Sequence, residues 1–301
     1  MLDLDFAFLN IVNQNKTGPG YKKIFLDMLA PFFFAPRLQK IIKLPYMEAC
    51  GGNIMIPLGS SHLNLLKQTG QQTMAQRLSA ILQEYQLRFL AVDRRLKNEI
   101  TDIFLGQVMV FGDNFIKALA HVFIKNILEH CNLQRIIIVG SIEDFPGFIH
   151  SLGQYGLPIS IQTLCPQQQE ALAHQMLYEK GLAVSISLLN PDCWENDDLA
   201  IVFADSPGVF RGNRNAGLTI DLNNHSCDLA PGLSSEFERN GLLPALYNIA
   251  PILESCLLAK AGFYGSGAES IAADSSKAEF TNLEKIGRQW GLWDVFLDKV
   301  I

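Results

Sequence analysis

The densest run of reactive side chains in the sequence is residues 221–228, DLNNHSCD. His225 carries an imidazole whose ordinary pKa lies near neutrality, which suits general acid or base work. Cys227, two residues on, is a candidate nucleophile. These two are the catalytic candidates. His225, Cys227 and Asp228 stand too close together for an ordinary metal site, so no metal is expected. The competing reading is a solvated turn in which Asn and Asp side chains satisfy backbone groups.

A second group has the look of a phosphate-binding turn. A short β-branched run, residues 135–140 (RIIIVG), leads into Ser141-Ile142-Glu143-Asp144-Phe145-Pro146-Gly147. A dinucleotide turn reads G-x-G-x-x-G, because the glycines let the backbone approach a pyrophosphate seated on the following helix N-terminus. Only Gly140 is in place. Glu143 and Asp144 put carboxylates where a pyrophosphate needs bare N–H groups, and like charges repel. At the end of the next strand an acid would hold the ribose of NAD, or an arginine the extra phosphate of NADP. The chain offers Gln162-Thr163-Leu164-Cys165 instead, which selects neither. Asp205 and Ser206 follow the fourth strand, where they would meet a nicotinamide or simply turn the chain. The cofactor-binding candidates are therefore Gly140, Ser141, Gln162, Thr163, Asp205 and Ser206, with NADP or NAD as the cofactor. His62, His121, His130, His150 and His174 read as satisfied surface or boundary residues. No P-loop, G-x-S-x-G or H-E-x-x-H occurs.

Alternating strands and helices must position these groups. Residues 158–162 (PISIQ), 183–188 (AVSISL), 199–204 (LAIVFA) and 218–222 (LTIDL) read as strands after the one ending at Gly140. A short helix over 144–155 and a second from Pro166 to Gly181 separate the first three. This rhythm predicts a parallel sheet with right-handed crossovers. Earlier, 53–57, 87–92 and 107–111 read as strands, and 73–85 and 115–130 as amphipathic helices. The expected fold is α/β: a Rossmann-like parallel-sheet domain over 115–245, preceded by a smaller α/β domain over 1–114. A helical segment over 246–301 is expected to pack back on the N-terminal domain. Residues 262–276 (GFYGSGAESIAADSS) read as a mobile linker.

Composition narrows the partners. Of 301 residues 49% are apolar and 18% charged, ample for a buried core. The net charge of −6 and the lack of a basic run exclude nucleic acid as the natural partner. Six cysteines show no C-x-x-C spacing, and the start MLDLDFAFLN is acidic where a secretory signal would be basic. A cytoplasmic setting with reduced thiols is the simplest expectation. The most hydrophobic stretch, 21–46, is interrupted by Asp27, Pro31, Pro36 and Arg37. It falls short of the roughly 18 to 20 apolar residues of a spanning helix. Helices packed on the protein's own core are expected there, a membrane surface or greasy ligand being the alternative.

The order of these pieces resembles one family along almost the whole chain. It is similar to the acyl-acyl-carrier-protein reductases that form fatty aldehydes, in the glutamyl-tRNA reductase and shikimate dehydrogenase-like group. The resemblance runs through Leu29-Ala30-Pro31-Phe32, Gly52-Asn53-Ile54-Met55-Ile56-Pro57-Leu58, Gly112-Asp113-Asn114-Phe115 and Ile138-Val139-Gly140-Ser141. It continues through Ala204-Asp205-Ser206-Pro207, Thr219-Ile220-Asp221, the segment 253–259 (LESCLLA), and Leu283-Glu284-Lys285-Ile286-Gly287 leading to Gly291. It implies an NAD(P)-dependent reductase with a cysteine nucleophile for the acyl group. This chain departs from that pattern at Glu143 and Pro146, where the family has its glycine motif. Pro251 stands where the cysteine belongs, and Cys256 lies five residues on. Three readings stay open: a nicotinamide-dependent reductase or dehydrogenase, a non-catalytic binding or regulatory protein on the same scaffold, and an acyl or lipid binder using Phe32–Phe34. A small-molecule or acyl-type ligand is the expected partner, and a homo-oligomer is compatible with the sequence.

Overall fold

Short apolar runs bounded by turn residues become strands, and longer runs with period 3.6 become helices. The computed structural model describes residues 3–11, 33–104, 106–142, 144–203, 217–226, 230–261 and 280–297. In chain order the main elements are β1 (Phe6–Ile11), β2 (Arg37–Leu44), β3 (Ala49–Ile56), α1 (Ser60–Leu65), α2 (Gln68–Glu84), β4 (Phe89–Val92), α3 (Lys97–Ile100), β5 (Val108–Val110) and α4 (Asp113–His130). There follow β6 (Arg135–Val139), α5 (Phe145–Leu152), β7 (Ile159–Thr163), α6 (Glu170–Lys180), β8 (Val184–Leu188), β9 (Asp198–Val202) and β10 (Leu218–Asp221). The last are α7 (Pro231–Arg239), α8 (Leu246–Lys260), α9 (Phe280–Gln289) and α10 (Asp294–Leu297). The chain divides into two compact units: residues 1–115 with 230–292, and residues 116–229 with 293–301. Among the described residues no helix is long and apolar enough to cross a membrane.

Among the described residues the first unit holds a five-stranded sheet in the order β2-β3-β1-β4-β5. β1 lies parallel between β3 and β4, pairing Phe6 with Gly51 and Ala7 with Leu90. Its sequence, FAFLNI, is apolar on both faces because both are covered. Leu78 and Leu82 of α2 pack with Leu9, Ile54 and Leu90 in one core cluster. β2 is antiparallel to β3 and forms an edge, with a bulge between Leu38 and Lys40. Arg37, Gln39 and Lys43 face solvent while Ile42 and Leu44 are buried. Over 37–44 the helix expected within 21–46 is replaced by a strand, because this part alternates with period 2 around Ile42-Lys43-Leu44. Residues 21–32 of that stretch, including Leu29-Ala30-Pro31-Phe32, lie outside the described residues.

α8 packs against β1, β4 and β5 and is buried from Leu246 to Ala259. A helix apolar all round belongs inside a core, which accounts for its composition. α7, placed with the second sheet by the sequence reading, belongs to the first unit. The reason lies just past its end: Asn240 accepts from the Lys43 N–H (3.0 Å) and donates to the Lys43 carbonyl (2.8 Å), while Leu233 and Phe237 are buried.

The second unit carries an all-parallel sheet in the order β10-β9-β6-β7-β8. Renumbered within the sheet this is 5-4-1-2-3, the order of a Rossmann-like half, and the chain reverses direction across the sheet between β6 and β9. The crossover from β8 to β9 has no α-helix. Trp194 covers that face instead, packed on Ile137, Val139, Ala200 and Val202. At the opposite end of the same strands Arg135 pairs with Asp198 across β6 and β9. Asp198 is buried, so the ion pair satisfies a charge that would otherwise be costly. That hydrogen bond holds the Arg135 guanidinium above its ordinary pKa.

Candidate functional site

The C-terminal ends of β6, β7 and β10 bring most of the expected site residues to one edge of the second sheet. β6 stops at Val139, and Gly140 turns the chain with φ +87°, a conformation L side chains rarely adopt. Its N–H donates to the Gln162 carbonyl at 3.0 Å, so the first glycine turn is tied to β7. Ser141 is exposed. Asp144 is left-handed, with φ +51°, immediately before α5. Its carboxylate does not cap the helix. It lies over the first turn instead, where a Cβ built on Gly147 would sit 2.9 Å from Asp144 Oδ2. Pro146 removes one of the N–H groups that the turn would otherwise offer.

Asp144 Oδ2 lies 3.4 Å from Nζ of Lys117, in the second turn of α4. The Lys117 side chain is 2% exposed and that of Asp144 is 60% exposed. The sequence reading did not single out Lys117. The signal was one cation inside the apolar run Phe115-Ile116-Lys117-Ala118-Leu119-Ala120, on a helix buried on every side at that level.

Gln162 is buried at the end of β7, and its Oε1 accepts from Trp194 Nε1 (2.9 Å) and the Asn190 N–H (3.2 Å). That oxygen is therefore engaged in holding Trp194 against the sheet. Thr163, half-buried, accepts from the Cys165 N–H at 3.4 Å. After β10, the His225 N–H donates to Asn223 Oδ1 (2.8 Å) and the Asn223 N–H to Asp221 Oδ1 (3.0 Å). These are side-chain-closed turns that leave the His225 residue exposed. Glu143, Asp205, Ser206 and Cys227 lie outside the described residues. Among the described residues no three His, Cys, Asp or Glu side chains gather as a metal would need. His121 is buried rather than superficial, with its Nε2 3.0 Å from both Gln154 Nε2 and Tyr155 Oη.

The first unit carries the positions where the resemblance placed acyl chemistry. Pro251 lies inside α8. Gly112, with φ +83°, approaches it so closely that an added Cβ would sit 2.6 Å from the Pro251 nitrogen. Cys256 is fully buried, and burial pushes its thiol far above the ordinary range. A thiol sealed from solvent and held protonated is a poor nucleophile. Glu254, also buried, accepts from the Phe115 N–H (3.0 Å) and from Asn114 Nδ2 (3.4 Å), anchoring the start of α4. Asp113 at the same place pairs with Arg94 (2.9 Å) and Lys97 (2.7 Å).

This geometry defines an α/β chain with a Rossmann-like parallel sheet, a preceding α/β sheet and C-terminal helices. No family model matches the sequence. No curated protein matches it either. Solved structures align with it at low identity and low TM-score. L-tryptophan dehydrogenase from Nostoc punctiforme aligns with 10% identity and a TM-score of 0.45 over 95% of this chain and 82% of that one. Quinate dehydrogenase from Corynebacterium glutamicum, in complex with NAD, aligns with 10% identity and a TM-score of 0.39 over 97% and 99%. The catalytic subunit of aspartate transcarbamoylase from M. jannaschii aligns with 10% identity and a TM-score of 0.36 over 85% of each chain. The fold assignment above rests on strand order and register.

Proposed function

We propose that the chain is a reductase- or dehydrogenase-type protein that takes NADP or NAD along the C-terminal edge of its second sheet. The observation that carries this is the parallel order β10-β9-β6-β7-β8 with Gly140 at positive φ closing the central strand. In open α/β sheets ligands sit outside the strand C-termini, where the strand order reverses. Gly140 and Ser141 would face the pyrophosphate, Thr163 and the remaining polar end of Gln162 the adenosine side, and Asp205 and Ser206 the nicotinamide. The bound cofactor would supply hydride. His225 and Cys227 are the residues assigned to proton transfer or nucleophilic attack at the substrate.

The substrate class that fits the family resemblance is a small molecule or an acyl group. The family's thioester step has no nucleophile at its usual place, because Pro251 stands there and Cys256 is sealed. A second reading, a non-catalytic binding or regulatory protein on the same scaffold, is favoured by Asp144 and Pro146 in the turn. A third, an acyl or lipid binder, draws on Phe33, which is 65% exposed.

Calorimetric titration of the purified protein with NADPH, and separately with NADH, separates the first two readings. Micromolar binding, roughly −8 kcal/mol, supports the dinucleotide reading. No heat and no thermal shift at millimolar cofactor would refute it in favour of the second. Where turnover is found, H225A and C227S must each lower it. Unchanged turnover in both removes them from the mechanism.

A further inference from the structure

A lysine is seldom sealed inside a helix packed on all sides, because desolvating an ammonium is expensive unless something at that place uses the charge. Lys117 is 1% exposed, yet the carboxylate that faces its Nζ belongs to a residue whose side chain is 60% exposed. The separation, 3.4 Å, is long for a charge-assisted bond, which usually closes to about 2.7–2.9 Å. The two partners are thus unlike. The cation is enclosed by the packing of α4, and the anion stands at the surface.

Topology explains why the cation lies there. α4 runs from Asp113 to His130, the chain reverses, and β6 returns from Arg135 to Val139. The first turns of α4 therefore lie beside the end of β6. That is where a dinucleotide's phosphates approach a Rossmann-like sheet. Two N–H groups of the same turn are not on offer: Gly140's is bonded to Gln162, and Pro146 has none.

We propose that Lys117 is the phosphate-recognising residue of this turn, and that a pyrophosphate displaces the Asp144 carboxylate from it. The inference rests on the dinucleotide reading for its ligand, while the anion site itself is defined by Lys117 and Asp144. The dinucleotide's pyrophosphate as a whole carries twice the charge and twice the free oxygens of one carboxylate, so it competes for the ammonium on favourable terms. Asp144 then acts as a resident competitor: it weakens dinucleotide binding by the work of moving it aside.

The test uses the full chain and four forms: wild type, K117M, K117R and D144N. Each is titrated with NADPH, NADH, inorganic pyrophosphate and adenosine. The expected result is a loss of at least tenfold in dinucleotide and pyrophosphate affinity in K117M, partial retention in K117R, and a gain of about three- to tenfold in D144N. The salt dependence of NADPH binding should flatten in K117M, since one phosphate contact is gone. Adenosine, which has no phosphate, should bind the same to all four. Should K117M fail to fold, K117R and D144N still decide the matter. Dinucleotide affinities within twofold of wild type in both K117M and D144N would overturn the inference and leave the dinucleotide reading standing. Lys117-dependent binding of pyrophosphate without any dinucleotide binding would uphold the anion site and sink the dinucleotide reading. Silence of wild type and D144N towards every phosphate-bearing probe would sink both.

Discussion

Replacing Gly112 by alanine tests how tightly α8 is keyed into the first unit. Two penalties add at this position. Its φ of +83° is left-handed, which costs an L residue roughly 1–2 kcal/mol. The new Cβ would also lie 2.6 Å from both the Pro251 nitrogen and the Ala250 Cβ. Comfortable contact needs about 3.5–4.0 Å, and overpacking of this kind typically costs about 1–3 kcal/mol. α8 cannot withdraw, because it is buried along its length. The total expected for G112A is about 2–5 kcal/mol.

Gly106 supplies the control within the same unit. Its φ is +93° and nothing lies within 4 Å of a Cβ built there. G106A should therefore lose only the conformational part, about 1–2 kcal/mol. Urea unfolding followed by circular dichroism gives both values. Thermal melts should show the same order, at roughly 2–4 °C per kcal/mol for a unit of this size. Equal stability of the two variants would refute the close approach of Gly112 to α8.

Three further outcomes follow from the packing. In the folded protein a thiol reagent should modify the exposed Cys131, Cys165 and Cys193 while Cys256 reacts only on unfolding, as mass mapping would show; fast labelling of Cys256 would reopen it as a nucleophile. Q162L removes the acceptor for Trp194 Nε1 and the Asn190 N–H, so it should cost about 1–3 kcal/mol and shift tryptophan emission, and an unperturbed spectrum would count against that anchor. D198N should cost about 1–3 kcal/mol, the partly exposed Arg135 moderating the loss. The raised pKa of Arg135 means its contribution is complete below the ordinary arginine value and fades only above it. The cost measured by denaturation should therefore be flat from about pH 6 to 9, and a penalty that vanished within that window would refute the assignment.

The second sheet was the more legible half. Runs such as RIIIV and LAIV place β6 and β9 within a residue or two, because strands buried on both faces are continuously apolar. The Pro166 helix starts later than its signal suggests, since a 3-10 turn over Pro166–Gln169 precedes α6. In the first half, β1 is hard to see because FAFLNI neither alternates nor has a flanking Gly or Pro to mark its ends. β2 was hidden inside a longer greasy stretch whose average masks its alternation. Among the site residues, Gly140 could be placed from sequence because its conformational requirement is local. The engagement of Gln162 by Trp194 could not be, because the partners are 32 residues apart. Lys117 escaped for the same reason: its meaning depends on Asp144, which only the fold brings near.

The outer margin of the first sheet has a consequence for how the molecule behaves in a crowded solution. An uncovered edge strand is an invitation to polymerise, since its free N–H and C=O groups can template another chain. β2 declines that invitation in three ways. A bulge breaks its register, the cations Arg37 and Lys43 repel a like strand, and the Asn240 amide occupies both the N–H and the carbonyl of Lys43. Removing Asn240 would thus be felt first as a tendency to clump, before any loss of the fold itself.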